Sequence, residues 1–235
     1  MLEMPNNMKP THTIQIKELL NIADRTIFVE KGEYLFREGE EADRLFLVLS
    51  GKVQISKITF DGRELNLRIC GGNDICGELT LFTDTPRYLF NAFVIEDSEV
   101  AIIQQSVLEK EMFKNGTLAY EFMKWMSDHF RRTMTKFRDL VLHGKKGALY
   151  STLIRMTNSY GVPKEDGILI DLALTNQKLG DFCGTSREST NKILNDLKRK
   201  GIISLHKGKI IIHDLQYLRN EIACENCPVE FCNIE

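Results

Sequence analysis

No apolar run in these 235 residues approaches the roughly 18 needed to span a membrane. The opening stretch, MLEMPNNMKPTH, lacks the charged-then-apolar layout of an export leader. A cytoplasmic protein with no membrane partner is therefore expected. Histidine is scarce, with only His12, His129, His143, His206 and His213. No nucleophile–base–acid triad, phosphate loop or paired-carboxylate pattern stands out, so an enzyme is not expected. Net positive charge is also lacking. The formal balance is −2, which by itself argues against non-specific attraction to nucleic acid. Cysteine is absent before Cys70, and three of the six cysteines crowd into the last twelve positions. In a reducing compartment such thiols are metal ligands or free rather than disulfide-bonded.

What is present is unevenly distributed. Between Lys145 and Lys209 there are twelve Lys/Arg against six Asp/Glu, whereas Arg219–Glu235 has one Arg against four Glu. A basic block in an otherwise acidic chain is the footprint of a nucleic-acid-binding domain. The length suits one or two domains.

Residues 13–23 have apolar positions at helical spacing. From Thr26 to about Gln105 the chain turns to short β-branched and aromatic runs cut by glycines. Strands are expected at Tyr34–Phe36, Leu45–Leu49, Val53–Ile58 and Leu65–Ile69, with Asp61-Gly62 as a hairpin turn. This pattern suits a closed or double-sheet β fold. No histidine falls within it, which disfavours a cupin-like metalloenzyme. Thr117–His143 then runs 27 positions without Pro or Gly, enough for about 40 Å of helix. Met123, Met126, Phe130, Thr133, Phe137 and Leu140 repeat as a heptad stripe, the pattern of a two-helix seam and hence of a homodimer. Phe122, Trp125 and Val141 widen the stripe, as packing against the β domain would require.

Beyond His143-Gly144-Lys-Lys-Gly147, a helix is expected over Ala148–Tyr160 and a strand over Ile168–Leu174. A short helix capped by Thr175 follows, then a turn at Gly184, a second helix over Ser186–Lys200 and a hairpin turning at Lys207-Gly208. Two helices joined by a tight turn form a helix-turn-helix, and the hairpin forms its wing. The second helix of such a motif offers its N-terminal residues to base edges in the major groove. Here those are Ser186, Arg187, Glu188, Asn191 and Lys192. Arg and Lys can donate to guanine and Glu can accept from cytosine. The competing role for Glu188 is a capping box with Thr185.

Lys31-Gly-Glu-Tyr-Leu-Phe-Arg-Glu-Gly39, Leu45-Phe-Leu-Val-Leu-Ser-Gly51 and Gly77-Glu78-Leu79 resemble the eight-stranded β-roll of cyclic-nucleotide-binding sensor domains. Glu78 and Arg87 match the ribose- and phosphate-holding positions of that family. Bulky Tyr88-Leu89-Phe90 follows Arg87 where nucleotide binders carry small residues, so no cyclic nucleotide is expected. The order of β-roll, long helix and winged helix-turn-helix resembles the Crp/Fnr family of bacterial transcription regulators. Thr185-Ser-Arg-Glu-Ser-Thr-Asn-Lys192 is similar to its recognition-helix motif, with Lys192 where that motif has Arg, and a lysine lacks the arginine fork. The implied fold is α+β: an N-terminal helix and cyclic-nucleotide-binding-like jelly roll (1–116), a dimerisation helix (117–143), a winged helix-turn-helix (144–218) and a cysteine tail (219–235). The implied partners are palindromic double-stranded DNA, a second copy of the chain and RNA polymerase.

Cys224, Cys227 and Cys232 stand at C-x2-C-x4-C spacing. Such thiolates suit zinc or an iron–sulfur cluster, and both want a fourth ligand. The absence of cysteine before Cys70 excludes the enteric Fnr arrangement, whose cluster cysteines lie near the N-terminus. The tail instead resembles the Gram-positive Fnr branch, which implies an oxygen-labile [4Fe–4S] cluster with Asp139 as fourth ligand. Cys183 is the alternative fourth ligand. A structural zinc at the tail, or a small-molecule ligand in the β-roll, is the alternative input.

Overall fold

The computed structural model describes residues 16–206 and 208–234. Its contacts divide into two compact units, one running up to Ser127 and one from Asp128 to Ile234. The first begins with helix α1 (Ile16–Asn21), inside the helix expected over 13–23, whose first residues lie outside the described ones. Strands β1 (Arg25–Val29), β2 (Tyr34–Phe36), β3 (Arg44–Ile58), β4 (Glu64–Cys70), β5 (Ile75–Cys76) and β6 (Asn91–Gln104) follow. They form one sheet in the order β1-β6-β3-β4, with β2 paired to β6 and β5 to β3. The runs read as separate strands at Leu45–Leu49 and Val53–Ile58 are one strand. Gly51, at φ 86°, carries the chain through a series of register shifts instead of ending it. The β3–β4 connection turns at Asp61-Gly62 as expected, with Gly62 at φ 78°.

The roll interior is closed by its own side chains. Phe36 and Tyr88 stack with ring centroids 3.9 Å apart, and the Tyr88 hydroxyl donates to the Arg44 carbonyl at 2.7 Å. Arg68, buried on β4, donates through Nη2 to the Ile75 carbonyl at 2.7 Å and to Glu78 Oε1 at 2.9 Å. The space left between Phe36, Ile55, Arg68, Glu78 and Tyr88 is about 30 Å³, room for about one or two waters. Arg87 instead donates to the Gly39 carbonyl at 2.7 Å. Replacing Arg68 by Ala would strand the Glu78 carboxylate in this interior. We expect a loss of about 3–5 kcal/mol, read as a lowered denaturation midpoint with an unchanged m-value. A loss below about 1 kcal/mol would mean that the pair is solvated.

Helix α2 (Gln105–Lys114) leads to the long helical run α3 (Gly116–Tyr160). In the first unit Phe122 and Trp125 are buried with Leu19, Leu45 and Leu118, the packing role anticipated for them. Met123 is 64% exposed. Met126 is half-buried against the same core, whereas in the second unit Phe130, Phe137 and Leu140 are exposed, so the stripe is left uncovered from Phe130 onward. Val141 is exposed too and does not take the packing role expected of it.

The run α3 is two helices in effect. Twelve residues of straight helix would separate Asp139 from Ser151 by about 18 Å, yet their side chains hydrogen-bond at 2.5 Å. The chain doubles back at Gly144 (φ 59°, ψ −161°), a conformation that favours glycine. At Gly147 a β-carbon would lie 2.0 Å from His143 Cβ, so this reversal needs glycine for a second reason.

Strands β7 (Gly161–Lys164), β8 (Gly167–Ile170), β9 (Ile203–His206) and β10 (Lys209–Ile212) form a sheet ordered β7-β8-β10-β9. Strand β8 is shorter than the Ile168–Leu174 run anticipated, and its hairpin with β7 was not anticipated. Of the expected wing turn, Gly208 is described and Lys207 lies outside the described residues. Between β8 and β9 lie α4 (Asn176–Asp181) and α5 (Arg187–Arg199), and after β10 comes α6 (Leu215–Glu221). Leu149, Leu153, Leu179, Leu194, Leu197, Leu218 and Ile234 share one core. Among the described residues, no helix is long and apolar enough to cross a membrane.

Candidate DNA-reading helix and cysteine-tail site

The first surface is built by capping. The Thr175 hydroxyl accepts from Lys178 N at 3.2 Å and starts α4. The Ser186 hydroxyl accepts from Ser189 N at 3.3 Å and starts α5. Thr185 is buried rather than capping, so Glu188 is not its capping-box partner. The fully exposed Glu188 carboxylate instead turns toward the helix start, where its own backbone N–H and the Ser186 hydroxyl hold it below the usual carboxylate range. Ser186, Arg187, Glu188, Asn191 and Lys192 are all exposed. Asn176 Nδ2 donates to Asn191 Oδ1 at 3.0 Å, which ties the two helices together and leaves the Asn191 amide N–H2 to donate elsewhere. Arg187 lines an open groove of about 490 Å³ with Thr175, Asn176 and Gln177. A cationic, donor-rich helix N-terminus beside an open groove can bind phosphate and base-edge acceptors.

The second site lies where the tail meets α3. Helix α6, which the sequence reading missed, is capped by Asp214, whose carboxylate accepts from Tyr217 N at 2.8 Å. The chain then runs through Ala223 (φ 44°) and Asn226 (φ 52°), passing Cys224 and Cys227. Side chains of α3 capture the tail backbone. Arg132 Nε donates to the Glu230 carbonyl at 2.9 Å, Arg155 Nη1 to Phe231 at 2.9 Å and Asn158 Nδ2 to Cys232 at 2.5 Å. Ile234 N donates to Ser159 Oγ at 3.0 Å, and the Ile234 side chain is buried. These contacts use no thiol.

Asp139 is buried, although a carboxylate in the last turn of a helix opposes the helix dipole. Its compensation is local. Oδ1 accepts from Arg138 Nε and Nη2 at 3.0 and 2.8 Å; Oδ2 accepts from Ser151 Oγ and Arg155 Nη2 at 2.5 and 2.9 Å. Burial pushes the Asp139 carboxyl up, but Ser151, Arg155 and Arg138 outweigh it and hold the group below the usual range. Arg138 also pairs with Glu225, and Cys227 is among the neighbours that favour its charged form. Burial raises the Cys232 thiol. The nearby Arg155 charge opposes that rise, while Cys224, Cys227 and Asp139 add to it.

The three tail thiols and Asp139 are thus electrostatic neighbours around two guanidinium groups. Among the described residues, no three His, Cys, Asp or Glu side chains converge tightly enough to hold a single metal ion. Cys183 belongs elsewhere. Its thiol lies 3.2 Å from the Leu179 carbonyl and 3.4 Å from Thr152 Oγ1, and burial pushes its pKa up to about 12. Such a thiol is a core residue, not a ready thiolate. The sequence offered no signal for the arginine partners of Asp139.

A family model described as a cyclic nucleotide-binding domain matches residues 26–115, and one described as a Crp-like helix-turn-helix domain matches residues 147–221. The chain is 58% identical over 219 residues to the anaerobic regulatory protein of Bacillus subtilis (strain 168), covering 93% of this chain and 92% of that one. It is 29% identical over 188 residues to a CRP-like cAMP-activated global transcriptional regulator of Mycobacterium tuberculosis, covering 80% and 84%. Among solved structures, FixK2 from Bradyrhizobium japonicum aligns with a TM-score of 0.70 at 21% identity, over 83% of this chain and 96% of that one. The regulator CLP of Xanthomonas campestris aligns at 0.75 and 22%, over 85% and 98%. At these identities the likeness speaks to the fold.

Proposed function

The chain belongs to the Crp/Fnr family of DNA-binding transcription regulators, and from that premise we propose that it is an oxygen-responsive regulator of anaerobic gene expression, acting as a homodimer on palindromic DNA with a [4Fe–4S] cluster as its sensor. The observation that carries the reading is that Arg138 and Arg155 join Asp139 directly to the tail, through Glu225 beside Cys224 and through the Phe231 carbonyl beside Cys232. The 58% identity to an anaerobic regulatory protein supports it.

Cys224, Cys227, Cys232 and Asp139 would hold the cluster, and its bound form would supply an oxygen-labile link between tail and helix. The donor set fits. A cluster places each ligand on a different iron and tolerates a wider spread than one tetrahedral zinc, whose bonds to sulfur are about 2.3 Å. Three thiolates and a carboxylate give such a site net negative charge, which the guanidinium groups of Arg138 and Arg155 oppose. Thiolate ligation releases protons; burial opposes that release at Cys232, and the nearby Arg155 charge works against the burial.

Asp139 shares a helical turn with Phe137 and Leu140 of the exposed stripe. Ligation at Asp139 is therefore felt at the dimer seam, and the seam sets the spacing of two reading helices. Arg187, Asn191 and Lys192 supply base and phosphate contacts, Glu188 accepts from a base once its carboxylate leaves the helix start, and Ser186 orients the helix. The β-roll is structural in this reading, since Arg68 holds Glu78 and side chains fill the interior. As in the rest of the family, RNA polymerase is the onward partner.

Anaerobic purification followed by iron, sulfide and zinc analysis tests the cofactor. The expected sample is brown, with about four irons and four sulfides per chain as the cluster formula requires. A colourless protein with one zinc per chain would replace the sensor by a structural metal.

A further inference from the structure

We infer that Arg155 is the positioning residue that couples Asp139 to the cysteine tail, fixing the spacing between the candidate oxygen ligand and Cys232. The inference rests on reading this region as a cluster site. The Arg155 side chain is only 3% exposed, and each of its nitrogens has a separate task. Nη1 donates to the Phe231 carbonyl at 2.9 Å, immediately before Cys232. Nη2 donates to Asp139 Oδ2 at 2.9 Å, and Nε lies 3.2 Å from Ser151 Oγ. Ser151 in turn donates to the same Oδ2.

A guanidinium is planar and presents its donors at fixed angles. Two acceptors held by one such group are therefore held relative to each other. One of them is the candidate oxygen ligand, and the other is the backbone that carries a candidate sulfur ligand.

The two arginines on Asp139 are not equivalent. Arg138 covers Oδ1 with its side chain 30% exposed, against 3% for Arg155, and its other ion pair is to the exposed Glu225 of the tail. An ionised carboxylate offers about four acceptor positions, and four donors occupy them here. Coordination at Asp139 would therefore require one of these donors to leave. Arg138 is the one free to swing outward, and Arg155 is the one that keeps Oδ2 and the tail in place while it does. Arg155 thus presents Oδ1 as the exchangeable oxygen. The other tail tethers, Arg132, Asn158 and Ser159, hold the backbone without touching Asp139.

The test is a coupling cycle on the full-length protein, read by hydrogen exchange of residues 228–234 in metal-free samples and by cluster bleaching in air in reconstituted ones. Arg155→Lys keeps the charge and loses the fork; Asp139→Asn keeps the shape and loses the charge. Each should speed tail exchange by about tenfold, the loss of one charge-assisted hydrogen bond. Asp139→Asn made in the Arg155→Lys background should add nothing to the exchange of residues 228–234, because the link that remains from Asp139, through Arg138, meets the tail at Glu225, outside that segment. The reconstituted Arg155→Lys protein should bleach several-fold faster than wild type. A purely structural Arg155 would give additive exchange effects and wild-type bleaching, and that result overturns the inference. Should Arg155→Lys fail to fold, the isosteric Asp139→Asn variant decides alone: tail exchange at the wild-type rate overturns the coupling. Wild-type protein that takes up no iron overturns the cluster reading itself, and the ligand role of the coupling with it. Wild-type protein that takes up iron, while Arg155→Lys shows wild-type exchange and bleaching, overturns the coupling alone.

Discussion

Replacing Cys227 by Ala should reduce DNA binding under anaerobic conditions to the level of the air-exposed wild type. Cys227 is half-buried and central in the C-x2-C-x4-C run. A cluster deprived of one of three thiolates keeps too few ligands for stable retention. Specific binding in this class of interface is typically about 10³-fold or more tighter than non-specific binding. Loss of the active form therefore appears as a collapse toward the non-specific level, measured by fluorescence anisotropy at fixed salt. Cys183→Ala is the internal control. Its thiol is buried, with a pKa near 12, so the variant should lose some stability and keep its response to oxygen. Wild-type affinity and oxygen response in Cys227→Ala would remove the tail from the sensing function.

A charge placed on the exposed helical stripe should act through a different step with a comparable effect. Phe130 and Phe137 are 64% and 60% exposed, a large apolar area for one protomer to leave uncovered. Phe130→Glu should leave the protomer folded, because surface substitutions away from special features change stability by only about 0.5 kcal/mol. It should also sediment as a monomer. A monomer engages one half-site, so the variant loses the gain from two linked sites, about 10²–10⁴ in affinity. Sedimentation as a dimer, with normal binding to a two-half-site DNA, would move the seam elsewhere.

The parts of the fold that were legible in the sequence are those written in local chemistry. Thr175, Gly184 and Ser186 announce the helix-turn-helix because caps and left-handed turns act within a few residues. The heptad stripe was legible because its 3.5-residue period survives in one helix. The joining of two expected strands into β3 was not, since Gly51 reads as a break and only the pairing with β6 shows that it is a bulge. Helix α6 was missed for a related reason: Asp214 and Leu218 give too short a pattern to outweigh the nearby cysteines. Of the candidate metal site, the cysteines were legible by spacing and Asp139 only through the family resemblance. Arg155 and Ser151 were hidden because the reversal at Gly144 brings together residues 12 and 16 positions apart, and no local pattern encodes that pairing.

In the proposed sensor one site both holds the cluster and controls the grip on DNA. One anaerobic cuvette tests it directly, holding wild-type protein and labelled palindromic DNA, with visible absorbance and anisotropy recorded together as air-saturated buffer is titrated in. The iron–sulfur absorbance and the anisotropy should fall in step, with the same oxygen dependence. Bleaching of the absorbance with the protein still bound at full specific affinity would contradict it.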